Sequence, residues 1–426
     1  MLPIDLQAAE TVGGIYTFPV VALNNIAQAS AVVAFVIINR RNAKAKEVGV
    51  PAFISGYLGV TEPAMFGINL KYPKAQLEEK QIGEAMTADD FETGTRAAIA
   101  GGTTLVIDYA SQDKGGHTLR EGLEKWHEKA DGKCSCDYSF HMSIVEWNEE
   151  TQREIQDMIN EGITSFKLYM TYPAMIVDDG DLYKIIKKLN EYGCFAGVHC
   201  ENAGAIDALI AEAKKEGRLG PENHPLVRPD IMEAEAVHRL LVIADAANAP
   251  VMVVHLTNRK AFEEVMRARM NGQKVYAETC PQYLLLDDSV YSKPDFEGAK
   301  YVCAPPIRKK ADQDCLWKAL ANDQIQTVAT DQCSFTMEQK ALGKDDFTKI
   351  PGGLPGVQTR GTLLYTYGVR TGRITQEQMC RLLSENAAKL YGVYPNKGVI
   401  REGSDADIVV FDPEKENVIS AKTHLY

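Results

Sequence analysis

From about residue 103 onward, apolar residues fall into short runs separated by longer stretches in which they recur every three or four positions. The short runs predict strands at 103–109, 137–144, 163–169, 194–199, 250–255, 274–279 and 326–331. The longer stretches predict helices at 181–193, 203–216, 231–247, 258–271 and 312–322, with Asp181 capping the helix that ends at Gly193. Alternation of this kind predicts an α/β fold built on a parallel sheet. Seven strands fall one short of a closed (β/α)8 barrel, so the expectation is an incomplete TIM-like barrel over 82–395. Beyond it, the extended run "REGSDADIVVFDP" predicts a partial small β-sandwich at 396–426.

The first part of the chain has a different pattern. Residues 11–39 carry no charge, and Arg40, Arg41, Lys44 and Lys46 follow them. That is long enough for an apolar helix to cross a bilayer, with a basic flank on one side. It predicts an N-terminal apolar helical segment with membrane contact through 15–39. Pro19, Asn24, Asn25 and Gln28 favour instead a helix buried in a soluble fold. The charged stretch 74–81 reads as a junction between residues 1–73 and the barrel.

Composition narrows the function. Forty-six basic against fifty-eight acidic residues give a net charge of −12, which argues against a nucleic-acid partner. Nine scattered cysteines without a C-x-x-C pair predict reduced thiols and a cytoplasmic protein, with membrane association only through the N-terminal segment.

Four residues at predicted strand ends stand out: Lys167, His199, His255 and Asp331. Each has a bland reading. A strand-end histidine is often a satisfied half-buried residue, a lysine snorkels to the rim, and an aspartate caps a helix. Together, in order, on successive β/α units, they point to a metal site at the carboxyl end of a barrel. A neutral buried lysine can take up CO2 as a carbamate, which is then a bridging anion. Two divalent ions sharing it would lower the pKa of a water. Asp331 would then act as metal ligand and base. Tyr172, five residues past Lys167, either stabilises an oxyanion or packs at the rim, and the residues alone favour packing.

The segments "FKLYMTY", "GVHCEN", "VVHLT", "ETCPQYLLLDDSVY", "APPIRKKADQ", "ATDQCSF" and "GKDDFTKIPGGLPGV" resemble the dihydropyrimidinase/hydantoinase branch of the amidohydrolase superfamily, over about 82–426. The resemblance implies hydrolysis of cyclic amides to N-carbamoyl amino acids by a homo-oligomer, tetramer or dimer. It implies two divalent metal ions, zinc first and manganese second. Lys167 would be N6-carboxylysine bridging both. His199 and His255 would complete the second site, and Asp331 would complete the first and act as base. Tyr172 would polarise the attacked carbonyl, and main-chain groups of Ala304 and Gly352 would hold the ring.

The chain departs from that family in lacking an H-x-H pair among its eight histidines, which leaves the second metal site better supplied than the first. Ala304 stands where the family has Ser, and Gly352 where it has Asn. A catalytically inactive scaffold therefore stays open beside the hydrolase. A second resemblance covers about 11–73. "GVTEPAMFGINLKY" and "RRNAKAKEVGVPA" are similar to the membrane subunit (enzyme IIC) of sucrose/trehalose-type sugar phosphotransferase systems, where Glu62 would help hold the sugar. Two segments cannot enclose a transport site, so no transport is expected.

Overall fold

A computed structural model of the chain describes residues 81–82, 85–416 and 418–425. All of them belong to the second of the two units into which the chain divides, 79–426. The apolar segment 15–39 and the transporter-like stretch 11–73 lie outside the described residues.

Seven strands form one sheet: β1 (Leu105–Ser111), β2 (Asp137–Ser143), β3 (Ser165–Tyr169), β4 (Phe195–His199), β5 (Val251–Val253), β6 (Val275–Thr279) and β7 (Thr327–Val328). Each pairs in parallel with its neighbour in sequence. Parallel neighbours require a crossover. The crossovers carry α1 (Phe91–Ala100, ahead of β1), α2 (Leu119–Ala130), α3 (Glu149–Asn160), α4 (Asp179–Glu191), α5 (Ala203–Lys215), α6 (Asp230–Ala247), α7 (Arg259–Met270) and α8 (Lys310–Ala321). This is the winding of a TIM-like barrel, with seven parallel strands among the described residues.

The central strands are buried on both faces because both are covered. Every residue of β3, β4 and β5 is buried. Leu168 and Val198 pack among Leu182, Ile185, Ile186 and Leu189 of α4, which recur at the spacing of one helix face. Burial of each such side chain contributes roughly 1.5–3 kcal/mol. Phe195, Met252 and Val254 form a separate cluster with Tyr276 and Tyr391 against it.

Helix starts follow local chemistry. Asp90, Thr118, Asn148, Asp178, Asn202 and Asn258 each accept a first-turn backbone N–H. The cap of α4 is therefore Asp178, not Asp181. The Asp181 backbone N–H is the donor to the Asp178 side chain, because a cap accepts from an N–H two or three residues after it and so precedes the helix. The helix closes as expected at Gly193, in a left-handed turn with φ +71°.

Two strands end earlier than their apolar runs. β5 stops at Val253 and β7 at Val328, ahead of His255 and Asp331. Both residues have left-handed backbone, φ +40° and +49°, which takes the chain out of the ladder. The expected β-sandwich at 396–426 is also corrected. No strand follows β7 among the described residues, and Ile408, Val409, Val410 and Phe411 are exposed. An apolar run becomes a stable strand only against a ladder partner, and the described chain offers it none.

Candidate active site

A parallel sheet gathers the carboxyl ends of its strands on one side. Register decides which side chains meet there. Lys167 is paired with Gly197 and Tyr169 with His199. Alternate residues share a face, so Lys167, Tyr169 and His199 project together. The Lys167 ammonium lies 5.0 Å from the Tyr169 ring centre and 5.1 Å from that of Tyr109. The His199 ring is stacked on Tyr169 and meets the edge of His255, with centres 4.5 Å apart. Tyr172 completes the group, its ring 5.1 Å from His199.

The backbone carries strain where the chemistry is expected. Tyr172, with φ +68°, joins His255 and Asp331 among the few non-glycine residues in left-handed geometry. Such residues persist only where the surroundings over-determine them, and they cluster at functional sites.

Burial sets the protonation. Both His199 and His255 are nearly inaccessible, and desolvation holds both imidazoles neutral; the partner carboxylate of Glu201 opposes this at His199. Neutral imidazole is the form that binds a metal. The Nε2 of His199 lies 2.8 Å from the Glu201 carboxylate. Burial pushes the Glu201 carboxyl up, but Arg228 and His199 together outweigh it and bring it down to about 2. Arg228 donates to Glu201 at 2.6 Å and lies over the Tyr172 ring at 5.8 Å. Burial drives the Tyr172 phenol far up, against the pull of Arg228, so its O–H keeps its proton. A deeper pair, Arg308 and Glu233, is joined at 2.9 Å and ties in Thr257, two residues past His255.

The donor set fits a metal at the two histidines. His255 Nδ1 is buried and has no hydrogen-bond partner among the described residues. Among the described residues no three His, Cys, Asp or Glu side chains meet as a ready cage. Lys167 projects on the same face as His199, and a lysine there could serve as an anionic donor only after conversion to a carbamate.

The predicted substrate residues lie on a second wall made of loops. A side chain at Gly352 would meet Cys303, the neighbour of Ala304, at 4.0 Å. The Gly353 backbone N–H donates to the Val302 carbonyl at 3.0 Å. The structure thus brings 302–305 and 351–354 together. Asp331 contributes to raising the Tyr172 phenol, behind burial and Glu201, which places its charge near the same group.

Sequence reasoning missed Glu201, Arg228 and Lys340. Glu201 follows His199 by two residues, and that spacing was the available signal. Arg228 and Lys340 have none, because only the fold brings Arg228 to Glu201 and Lys340 to the carbonyls of Val302, Pro351 and Gly353.

The amidohydrolase family profile matches residues 62–425. A D-hydantoinase from Streptomyces coelicolor is 46% identical over 348 residues, which are 81% of this chain and 74% of that protein. A D-hydantoinase from Geobacillus stearothermophilus is 46% identical over 80% of this chain and 73% of its own length. The crystal structure of a dihydropyrimidinase from Brevibacillus agri superposes with a TM-score of 0.80 at 44% identity, covering 82% of this chain and 76% of that one. The transporter resemblance over 11–73 gains no support from these relatives, and the family match begins inside it. Among the described residues no helix is long and apolar enough to cross a membrane.

Proposed function

The chain belongs to the amidohydrolase family, and on that premise we propose that it hydrolyses cyclic amides, the rings of hydantoins and dihydropyrimidines, to N-carbamoyl amino acids. One observation carries the reading. Lys167 and two neutral histidines converge at the carboxyl ends of neighbouring strands, and the buried Nδ1 of His255 lacks a hydrogen-bond partner among the described residues.

In this proposal His199, His255 and Lys167 as N6-carboxylysine would hold one divalent ion. Asp331, with the carbamate, would hold the other. Zinc is the first choice and manganese the second. Bound ions of this kind polarise a carbonyl and lower the pKa of a water. The chain has no H-x-H pair, so the first ion has fewer donors and the second site is the tighter. Asp331 takes the proton from the attacking water and passes it to the ring nitrogen as the amide C–N bond breaks. The Tyr172 O–H, kept protonated by burial, donates to the carbonyl oxygen as negative charge develops there. Main-chain groups of Ala304 and Gly352 orient the ring. The enzyme works as an oligomer.

The test is ring opening of hydantoin and dihydrouracil by the purified chain supplied with Zn2+ or Mn2+ and bicarbonate. Turnover that vanishes in Lys167→Ala is the expected result. Folded protein with no turnover overturns the proposal.

A further inference from the structure

The loop wall is held by a residue that neither the metal donors nor the proton transfers use. Lys340 is 2% exposed, and its ammonium donates to three carbonyls: Val302 at 3.0 Å, Pro351 at 2.7 Å and Gly353 at 2.9 Å. An ammonium has three protons, so every donor is used and none is left for a carboxylate or a ligand. The acceptors are not random. Val302 lies two residues before Ala304, and Pro351 and Gly353 flank Gly352 on both sides. Hydrogen bonds from a charged donor are about twice as strong as neutral ones and fix geometry accordingly. The surroundings are otherwise apolar or neutral: the Phe335 ring lies 5.5 Å away, and the thiols of Cys303 and Cys333 face the ammonium.

We propose that Lys340 is a positioning residue for substrate: its ammonium staples loop 302–305 to loop 351–354 and so sets the spacing of the main-chain groups at Ala304 and Gly352. The proposal rests on the reading that those two residues hold the ring. Lys340 reaches neither the ring nor the metal donors, so its loss alters binding more than the chemical step. A lysine that only stabilised the fold would change neither KM nor one local region selectively.

The experiment compares wild type with Lys340→Gln, whose amide keeps two donors and loses the charge. Steady-state kinetics on a 5-substituted hydantoin give KM and kcat, and hydrogen exchange with mass spectrometry reads backbone protection. The expected result is a KM about tenfold higher with kcat within about threefold. Exchange should be faster in 302–306 and 350–355 and unchanged in β3 and β4. If Lys340→Gln does not fold, Lys340→Arg is measured the same way, since it keeps the charge but moves its donors. A folded variant with unchanged KM, or with unchanged exchange in the two loops, overturns the proposal. A wild-type chain with no turnover overturns the hydrolase reading instead, and the exchange data alone then decide the staple.

Discussion

The two walls of the site are built by different means. On the strand wall, Lys167 and His199 are placed by ladder register, with every residue of β3 and β4 buried. On the loop wall, 302–305 and 351–354 have no ladder between them. One backbone bond joins them, from the Gly353 N–H to the Val302 carbonyl, and beyond it they are located by side chains that reach across: Lys340 to three carbonyls, His224 Nε2 to the Cys303 carbonyl at 2.7 Å, and the Tyr283 O–H to the Pro305 carbonyl at 2.9 Å. A ladder positions its residues through backbone bonds and leaves the side chains free for chemistry. Loops need buried polar side chains for positioning alone. The strand wall should therefore fail in chemistry and metal retention, and the loop wall in substrate binding.

The largest effect is expected at the strand wall. Lys167→Ala removes the proposed carbamate, so turnover should fall by at least about a thousandfold. Bound metal should fall with it, read by elemental analysis of dialysed protein. Full metal content in this variant would mean that the lysine is a neighbour and not a ligand. Next comes Glu201→Gln. Arg228 then keeps its charge in a buried place without a carboxylate, which destabilises by about 3–5 kcal/mol. Urea unfolding of both proteins measures it. A loss under about 1 kcal/mol would show that Arg228 reaches water readily.

The third effect is a pH dependence confined to the loop wall. Burial pushes Lys340 from 10.5 down to about 8. Above that pH the amine is neutral and has two protons for three carbonyls, so KM should rise between about pH 7 and 9.5. Lys340→Gln should show no such rise. Two of the groups facing Lys340, Cys303 and His224, are shifted out of this window. Burial raises the Cys303 thiol to about 12 and lowers His224 to about 3. Stability moves the other way. Between about pH 8 and 10.5 the unfolded chain holds more protons at this lysine, so its contribution to folding becomes more favourable as pH rises. A KM that stays flat in wild type would separate substrate binding from the Lys340 charge.

How much of this was legible in the sequence follows the same division. All seven strands were readable, because buried parallel strands are continuous apolar runs. His199, His255 and Asp331 were readable because each closes such a run, and Lys167 because it is a charge inside one. Left-handed backbone at Tyr172, His255 and Asp331 was not, because non-glycine residues give no sign of φ. Arg228 was not, because Glu201 is 27 residues away, and Lys340 was not, because its acceptors lie 11, 13 and 38 residues away on two separate loops. The run at 408–411 has the composition of a strand, but among the described residues no ladder pairs with it.

The smallest effect tests the loop wall one residue at a time. Gly352 and Gly353 are adjacent but differ in room. A Cβ at Gly353 would lie 2.4 Å from the Cys333 carbonyl oxygen, whereas at Gly352 the nearest atom is Cys303 Cα at 4.0 Å. The backbone at Gly352 also lies outside the left-handed region, so a Cβ fits without strain. Gly352→Ala should therefore fold normally and gain about 0.4–1 kcal/mol by reducing the freedom of the unfolded chain. Gly353→Ala should lose stability, because rigid backbone must move to admit one methyl. Thermal midpoints of the two variants, measured side by side, give the contrast. Loss of stability in both would mean that the space beside Cys303 is closed, and that the loop wall tolerates no side chain between the two carbonyls Lys340 holds.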